Sequence, residues 1–192
     1  MRQRWDGDRD PLAALAAGQP ALFEDFVAKE AGTLLGFFRR LGADPVEAED
    51  LFQETILKLF RGAKNYQQSG RFDAYAFRAA RNVWIDSRRR SAVRERSAGA
   101  AVDDGGQVVE SAPGNEPEPF EGLELEERSK RLLQAVRGLD EAHRAAFELG
   151  VIQGLPYSEV ALLLDVPVGT IKSRVFHAVK RLRDDLERGG SL

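Results

Sequence analysis

LPYSEVALLLDVPVGTIKSRVFHAVKRLRDDL, residues Leu155–Leu186, reads as two helices joined by a tight turn. Ser158 is a capping residue type at the start of the first helix. Val160, Ala161 and Leu164 give that helix an apolar stripe at i, i+1 and i+4. Asp165-Val166-Pro167 interrupts it, because proline disfavours helical geometry in the residue before it. Gly169-Thr170 then opens a second helix with Ile171, Val175, Ala178, Val179 and Leu182 on one side. Lys172, Arg174, His177, Lys180, Arg181 and Arg183 spread over the rest.

A short helix, a turn and a basic amphipathic helix make a helix-turn-helix, whose second helix enters the DNA major groove. A helical hairpin with a solvated charged face would share the amphipathicity. Turn chemistry and a charge of one sign up to Asp184-Asp185 favour DNA. At the start of the second helix, Thr170 and Ser173 add hydroxyls to the cations Lys172 and Arg174. These are residue types that bond phosphates and base edges.

The chain has 192 residues, room for one domain or two small ones. Hydrophobic residues at 43% and charged residues at 31% make an ordinary soluble composition. There is no cysteine, which removes disulfides and thiolate metal sites and fits a reducing compartment. His143 and His177 are too few for a histidine-rich metal site. No apolar run approaches the roughly 20 residues of a membrane helix. The first residues lack the apolar core of a signal peptide, so a cytoplasmic location without membrane insertion is expected.

The net charge of −3 is unusual for a DNA binder, so its distribution matters more than its sum. Arg78, Arg81, Arg88, Arg89, Arg90, Arg94 and Arg96 form one basic block, and the helix from Lys172 to Arg183 forms another. Between them, Ser97–Glu126 carries Asp103, Asp104, Glu110, Glu116, Glu118, Glu121, Glu124 and Glu126 and no basic residue. Such a chain binds free DNA poorly, and better once a partner draws the acidic segment away.

Helical periodicity organises the rest. Residues 1–10 carry no pattern and read as disordered. Pro20 starts a helix that Gly42 ends. Asp44-Pro45 starts the next, with proline in its first turn, and it runs to about Gly62. Ala63–Arg71 is a polar loop; a third helix runs from Phe72 to Arg90 or beyond, with Phe72, Tyr75, Ala76, Ala79, Val83 and Trp84 inward. Ala98–Pro119 has the composition of a flexible linker. Leu123–Leu139 is helical again, and Asp140 caps a helix at Glu141–Ile152 that Gly154 ends. The expected fold is all-α, with two small helical domains on an acidic tether. An N-terminal extension covers 1–19, the first domain 20–96, the linker 97–122 and the second domain 123–192.

Ala48-Glu49-Asp50-Leu51-Phe52-Gln53-Glu54-Thr55-Ile56-Leu57-Lys58-Leu59-Phe60 resembles conserved region 2.2 of bacterial sigma factors. Phe72–Arg90, with Arg78, Arg81-Asn82, Asp86 and Arg88-Arg89-Arg90, is similar to regions 2.3 and 2.4. Leu155–Leu186 resembles region 4.2. The match runs from about Ala21 to Glu187 in the order of the extracytoplasmic-function (group 4) sigma factors, which carry only domains σ2 and σ4. The resemblance implies a dissociable specificity subunit of RNA polymerase, with no catalytic site, metal, cofactor or small-molecule substrate of its own. Promoters would be selected by σ2 on the −10 element, which is also melted, and by σ4 on the −35 element. Implied partners are core RNA polymerase, promoter DNA and an anti-sigma factor that keeps free σ silent.

Residue by residue, the resemblance assigns Asp50, Gln53, Glu54, Leu57 and Lys58 to the face that docks on the β′ clamp helices. A solvated face would show the same i, i+3, i+4 spacing. Tyr66 falls in the loop that takes a flipped −10 base. Base stacking there is worth roughly 1–3 kcal/mol, but Tyr66 packed on the domain edge is an equal alternative. Arg78, Asn82, Asp86, Arg88, Arg89 and Arg90 are the −10 residues on the third helix, with Asn82 suited to a base edge. Thr170, Lys172, Ser173, Arg174, Phe176 and His177 are the −35 readers, with Lys180 and Arg181 on the backbone. His177 stands where the family often has arginine, and Phe176 could instead pack beneath the helix. Leu132, Leu133, Val136, Phe147 and Leu149 are expected to build the σ4 core and a surface for the β flap tip. The linker resembles the connector that runs toward the RNA exit path.

Two other readings stand beside this one. A stand-alone helix-turn-helix regulator would bind duplex DNA without polymerase. A small helical nucleotide hydrolase would hold magnesium on Glu47, Glu49, Asp50 and Glu54, which needs carboxylates converging from more than one helix.

Overall fold

The computed structural model describes residue 5 and residues 9–68, 71–97 and 130–189. The expected linker and the first part of the expected helix at 123–139 lie outside the described residues. Regular structure among those described is helical: α1 (Pro11–Ala16), α2 (Ala21–Leu41), α3 (Pro45–Gly62) with a 3-10 turn at Ala63–Asn65, and α4 (Phe72–Ser97). Residues 130–137 form α5. Next come α6 (Glu141–Phe147), continued as a π-helical turn over Glu148–Ile152, α7 (Tyr157–Leu164) and α8 (Val168–Gly189).

Local chemistry sets most boundaries. Gly42 closes α2 in the left-handed region, at φ 116°, where a side chain would be strained. Its amide returns to the carbonyls of Phe38 and Arg39. Asp44 caps α3 by accepting the Glu47 amide at 2.8 Å, with Pro45 behind it in the first turn. Asp140 caps α6 in the same way through the His143 amide at 3.2 Å. Asp165 ends α7 at φ 53°, and the turn to α8 follows. Gly150, in the π turn, faces Tyr157: a Cβ there would meet the ring at 3.0 Å, so a side chain would push the two apart.

Two expectations are corrected. Ser158 does not cap α7. The helix begins at Tyr157 behind the extended Pro156, so Ser158 already lies inside the first turn and no side chain caps it. Residues 1–10 are not uniformly disordered, because Trp5 is fully buried and Asp10 is 2% exposed and caps α1. Neither belongs to a periodic run, and each is held by partners distant in sequence.

The N-terminal half is a helical bundle. Phe26, Leu34, Phe37 and Phe38 of α2 pack with Leu51 and Leu59 of α3 and with Phe72, Phe77 and Val83 of α4. Burying each aromatic stabilises the fold by roughly 1.5–3 kcal/mol. Thr55 sits in this core with its hydroxyl donating to the Leu51 carbonyl at 2.7 Å, so that hydroxyl is not stranded.

The C-terminal half does not stand apart from this bundle. Leu149, Leu155, Val160, Leu163, Ile171 and Val175 continue the same apolar cluster. Arg40 of α2 makes a bidentate pair with Glu148, at 2.7 and 2.8 Å, and Gln153 donates to the same carboxylate at 2.7 Å. Arg137 donates to the Arg39 carbonyl in the last turn of α2 and to the Ala43 carbonyl just beyond it, at 2.9 and 2.8 Å. Burial, then the neighbouring Arg39 and Arg144, push the Arg137 guanidinium below its ordinary pKa.

Glu148 is fully buried and its partner Arg40 is 23% exposed at the side chain. Removing one partner of a buried pair strands the other charge. Arg40→Ala is expected to cost about 3 kcal/mol, read as a lower urea midpoint. Arg188→Ala removes the exposed pair with Asp185 and is expected to cost under about 0.5 kcal/mol. Equal midpoints for both variants would contradict this account of the junction.

Candidate nucleic-acid and polymerase interfaces

Helix α8 rests on Ile171, Val175, Ala178 and Leu182, each 6% exposed or less. Their i, i+4, i+7, i+11 spacing fixes which side faces outward. Lys172, Ser173, Phe176, His177, Lys180 and Arg181 are exposed, while Thr170 and Arg174 are half-buried at the margin. Phe176 is 65% exposed, so it does not pack beneath the helix. It lies edge-on to His177, with ring centroids 5.4 Å apart, an apolar ring among cations suited to a thymine methyl. Val179 is 37% exposed, at the rim of an open apolar groove formed with Leu132, Phe147, Leu182 and Leu186.

His177 also meets His143 of α6, centroid to centroid at 6.2 Å. The His143 Nδ1 lies 2.7 and 2.8 Å from the Asp140 carboxylate oxygens. That side-chain hydrogen bond, more than the partial burial opposing it, holds the Asp140 carboxyl below its usual range.

Helix α4 carries the other cationic face. Arg78, Asn82 and Arg89 are exposed and share one stripe at i, i+4, i+11. The remaining −10 residues turn toward α3. Arg90 pairs with Glu54 at 2.9 Å, and hydrogen bonding to that carboxylate raises the Arg90 pKa. Asp86 lies 3.7 Å from Lys58. Arg88 pairs with Glu47 and covers the Trp84 ring, 4.2 Å from its centroid. Arg81 is half-buried and donates to the Leu163 carbonyl at 3.4 Å; desolvation lowers its pKa, partly offset by Glu141.

Two of the expected polymerase-facing residues, Glu54 and Lys58, therefore meet two of the −10 residues, Arg90 and Asp86, along one seam. Asp50, Gln53, Leu57 and Lys58 are exposed on α3, and Glu54 is half-buried against Arg90. Glu47 and Glu54 face arginines, and no group of three or more His, Asp or Glu side chains able to hold a metal occurs among the described residues. Tyr66 is half-buried, edge-on to Tyr75 at 4.8 Å, with its hydroxyl donating to Asp10 at 2.7 Å. Asp10-Pro11 carries the same local cap signal as Asp44-Pro45 and is missed when residues 1–10 are read as disordered, whereas the junction residues Arg40, Arg137, Arg144 and Glu148 carry no signal in the sequence. Their partners lie too far along the chain for local spacing to reveal them.

Two family models match the chain, Sigma-70 region 2 over residues 26–94 and Sigma-70, region 4 over residues 129–182. The ECF RNA polymerase sigma factor SigL of Mycobacterium tuberculosis is 30% identical over 182 residues, covering 93% of this chain and 97% of SigL. The chain belongs to the ECF sigma factors. ECF sigma factor SigE of Mycolicibacterium smegmatis is 32% identical over 170 residues, covering 88% of this chain. The chain spans 63% of that relative's length. Among solved structures, sigma factor RpoE in complex with the anti-sigma factor NepR from Bartonella quintana aligns with TM-score 0.66 and 23% identity, covering 86% of this chain and 96% of that one. CnrH in complex with the cytosolic domain of CnrY aligns with TM-score 0.63 and 22% identity, covering 92% and 96%. Both share the fold of this sigma factor.

The Asp140 cap gives a pH prediction. A carboxyl held low in the folded chain adds stability above its unfolded pKa, and that stability is lost as pH falls through the folded value. Asp140→Ala is expected to cost about 1 kcal/mol at neutral pH, with the gap to wild type narrowing in strong acid. Urea midpoints of both proteins at the two pH values check this, and a gap that widens in acid would refute it.

Proposed function

We propose that this sigma factor binds core RNA polymerase through the outer face of α3 and reads two promoter elements, with α4 on −10 and α8 on −35. Carrying the proposal is the pairing of two sigma regions, matched in order, with two exposed polar faces backed by buried apolar seams. Arg78, Asn82 and Arg89 are the −10 contacts best placed in the closed chain. Arg88 and Arg90 join them once Glu47 and Glu54 are engaged elsewhere. Lys172, Ser173, Arg174, Phe176 and His177 meet −35 base edges, with Lys180 and Arg181 on phosphates. His177 has less charge and reach than an arginine, so its step favours a base that accepts one hydrogen bond. The apolar groove by Val179 takes an apolar element of the polymerase, the β flap tip.

Carboxylates on α3 suit an arginine-rich partner. An anti-sigma factor is the other expected partner: the sigma factor RpoE is solved in complex with the anti-sigma factor NepR, and CnrH in complex with the cytosolic domain of CnrY. No helix among the described residues is long and apolar enough to cross a membrane, and the proposed site of action is with polymerase in the cytoplasm.

Run-off transcription with purified core enzyme on a promoter library tests the whole reading; no core-dependent transcript from any member would sink it. Glu54 is a confounded probe, because its loss also frees Arg90. Leu57→Glu, at an exposed position outside those pairs, is expected to weaken core retention about tenfold while leaving the fold intact by circular dichroism. Arg174→Ala and Asn82→Ala are each expected to lower promoter use about tenfold at unchanged core affinity. The first does so through the −35 element. The second does so through −10 melting, read as open-complex yield on linear DNA.

A further inference from the structure

The N-terminal segment lies ahead of the region 2 match, yet it is tied directly to one end of the loop that follows α3 and, through Phe26, to the other. Asp10 joins them at one end. Its Oδ1 accepts the Leu12 and Ala13 amides at 3.0 and 3.1 Å, and its Oδ2 accepts the Tyr66 hydroxyl at 2.7 Å. A single buried carboxylate thus caps α1 and fixes a loop side chain 56 residues away. Helix α1 packs on α2 and on the 3-10 turn Ala63–Asn65 that leads to Tyr66.

Trp5 makes the second tie. It is fully buried, its indole donates to Glu30 at 3.0 Å, and its ring meets Phe26 edge-on at 5.7 Å. Phe26 in turn meets Phe72 edge-on at 4.9 Å, and Phe72 is the first residue of α4, just beyond the loop. Arg9 and Lys29 cover the Trp5 ring at 5.4 and 5.8 Å. Trp5 thus braces the far end of the loop only through Phe26, while Asp10 bonds a loop side chain directly.

We infer that Asp10 is a positioning residue for promoter reading, and that the N-terminal segment holds the loop around Tyr66 in its reading geometry. The inference rests on the proposed −10 role of Tyr66. A loop ordered beforehand gives up less freedom when a single-stranded base stacks on it, so affinity for the −10 strand depends on the clasp. Asp10 touches no DNA and acts through the tyrosine hydroxyl.

Hydrogen exchange on the full chain reads the clasp without DNA. Asp10→Ala is expected to speed exchange across residues 63–68 and to leave α8 unchanged. Holoenzyme binding to single-stranded oligonucleotides selected from a pool randomised at the −10 positions reads the consequence. Asp10→Ala and Tyr66→Phe should each lose about fivefold, the worth of one hydrogen bond. The double variant should lose no more than Asp10→Ala alone, and Asp10→Asn, which keeps an acceptor for the cap and a polar partner for the hydroxyl, should bind near wild type. Should Asp10→Ala fail to fold, Tyr66→Phe breaks the same bond from the other side. Unchanged exchange at 63–68, or fully additive losses in the double variant, would overturn the clasp. Faster exchange with undiminished strand binding, in Tyr66→Ala as well, would instead overturn the −10 role of Tyr66 and the inference with it.

Discussion

The pair between Arg40 and Glu148 sets how the two halves of this chain stand. It links residues 108 apart, and Glu148 has no exposed surface from which to recover hydration. An isolated carboxylate in that position would be untenable, so the second half must present Glu148 where Arg40 can reach it. Gln153 completes the carboxylate's partners from within the π turn that Glu148 begins. Widened turns of this kind are rare and recur at functional sites. Arg137, reaching carbonyls at and just beyond the end of α2, gives the junction a second fixed point.

Charge placement explains how an acidic chain can offer cationic faces. Along the α3–α4 seam, acids and bases are matched across helices: Glu47 with Arg88, Glu54 with Arg90, Asp86 with Lys58. These pairs are largely exposed, so they add little to stability. Their effect is to reduce the positive charge of α4 before any partner is present. Engagement of the α3 carboxylates by an arginine-rich partner would release the α4 arginines. Polymerase docking and −10 affinity would then rise together without a change of fold.

Much of the fold was legible because its punctuation is local. Asp44-Pro45, Gly42, Asp140 and the Asp165–Pro167 break act on backbone groups within a turn of themselves, and the structure uses each as a boundary. The amphipathic faces of α4 and α8 follow from period alone. Trp5, Arg40 and Arg137 were not legible, since their roles come from partners 25 to 108 residues away; of Asp10, the cap was local but the bond to Tyr66, 56 residues on, was not legible. Ser158 shows the limit of a residue-type rule: a good capping residue caps only if the helix starts just after it. Phe176 was open to two readings until its exposure was known, because a helical wheel places it near the boundary between faces.

On the proposed function, the closed arrangement cannot serve both promoter elements at once. Elements centred at −10 and −35 are about 25 base pairs apart, roughly 85 Å at 3.4 Å per base pair. A compact chain of this length has a radius of gyration of roughly 16 Å. The halves must therefore separate to span a promoter, and the junction has features that make separation feasible. Arg39, Arg137 and Arg144 crowd one another, and the Nε atoms of Arg39 and Arg144 are buried without a partner among the described residues. Opening returns those guanidinium groups to water, which offsets part of the loss of the Arg40–Glu148 pair. Buried ion pairs tend to break even against hydration, so they specify an arrangement more than they stabilise it. A junction built on such a pair can define one closed form and still yield it to a partner that binds the separated halves.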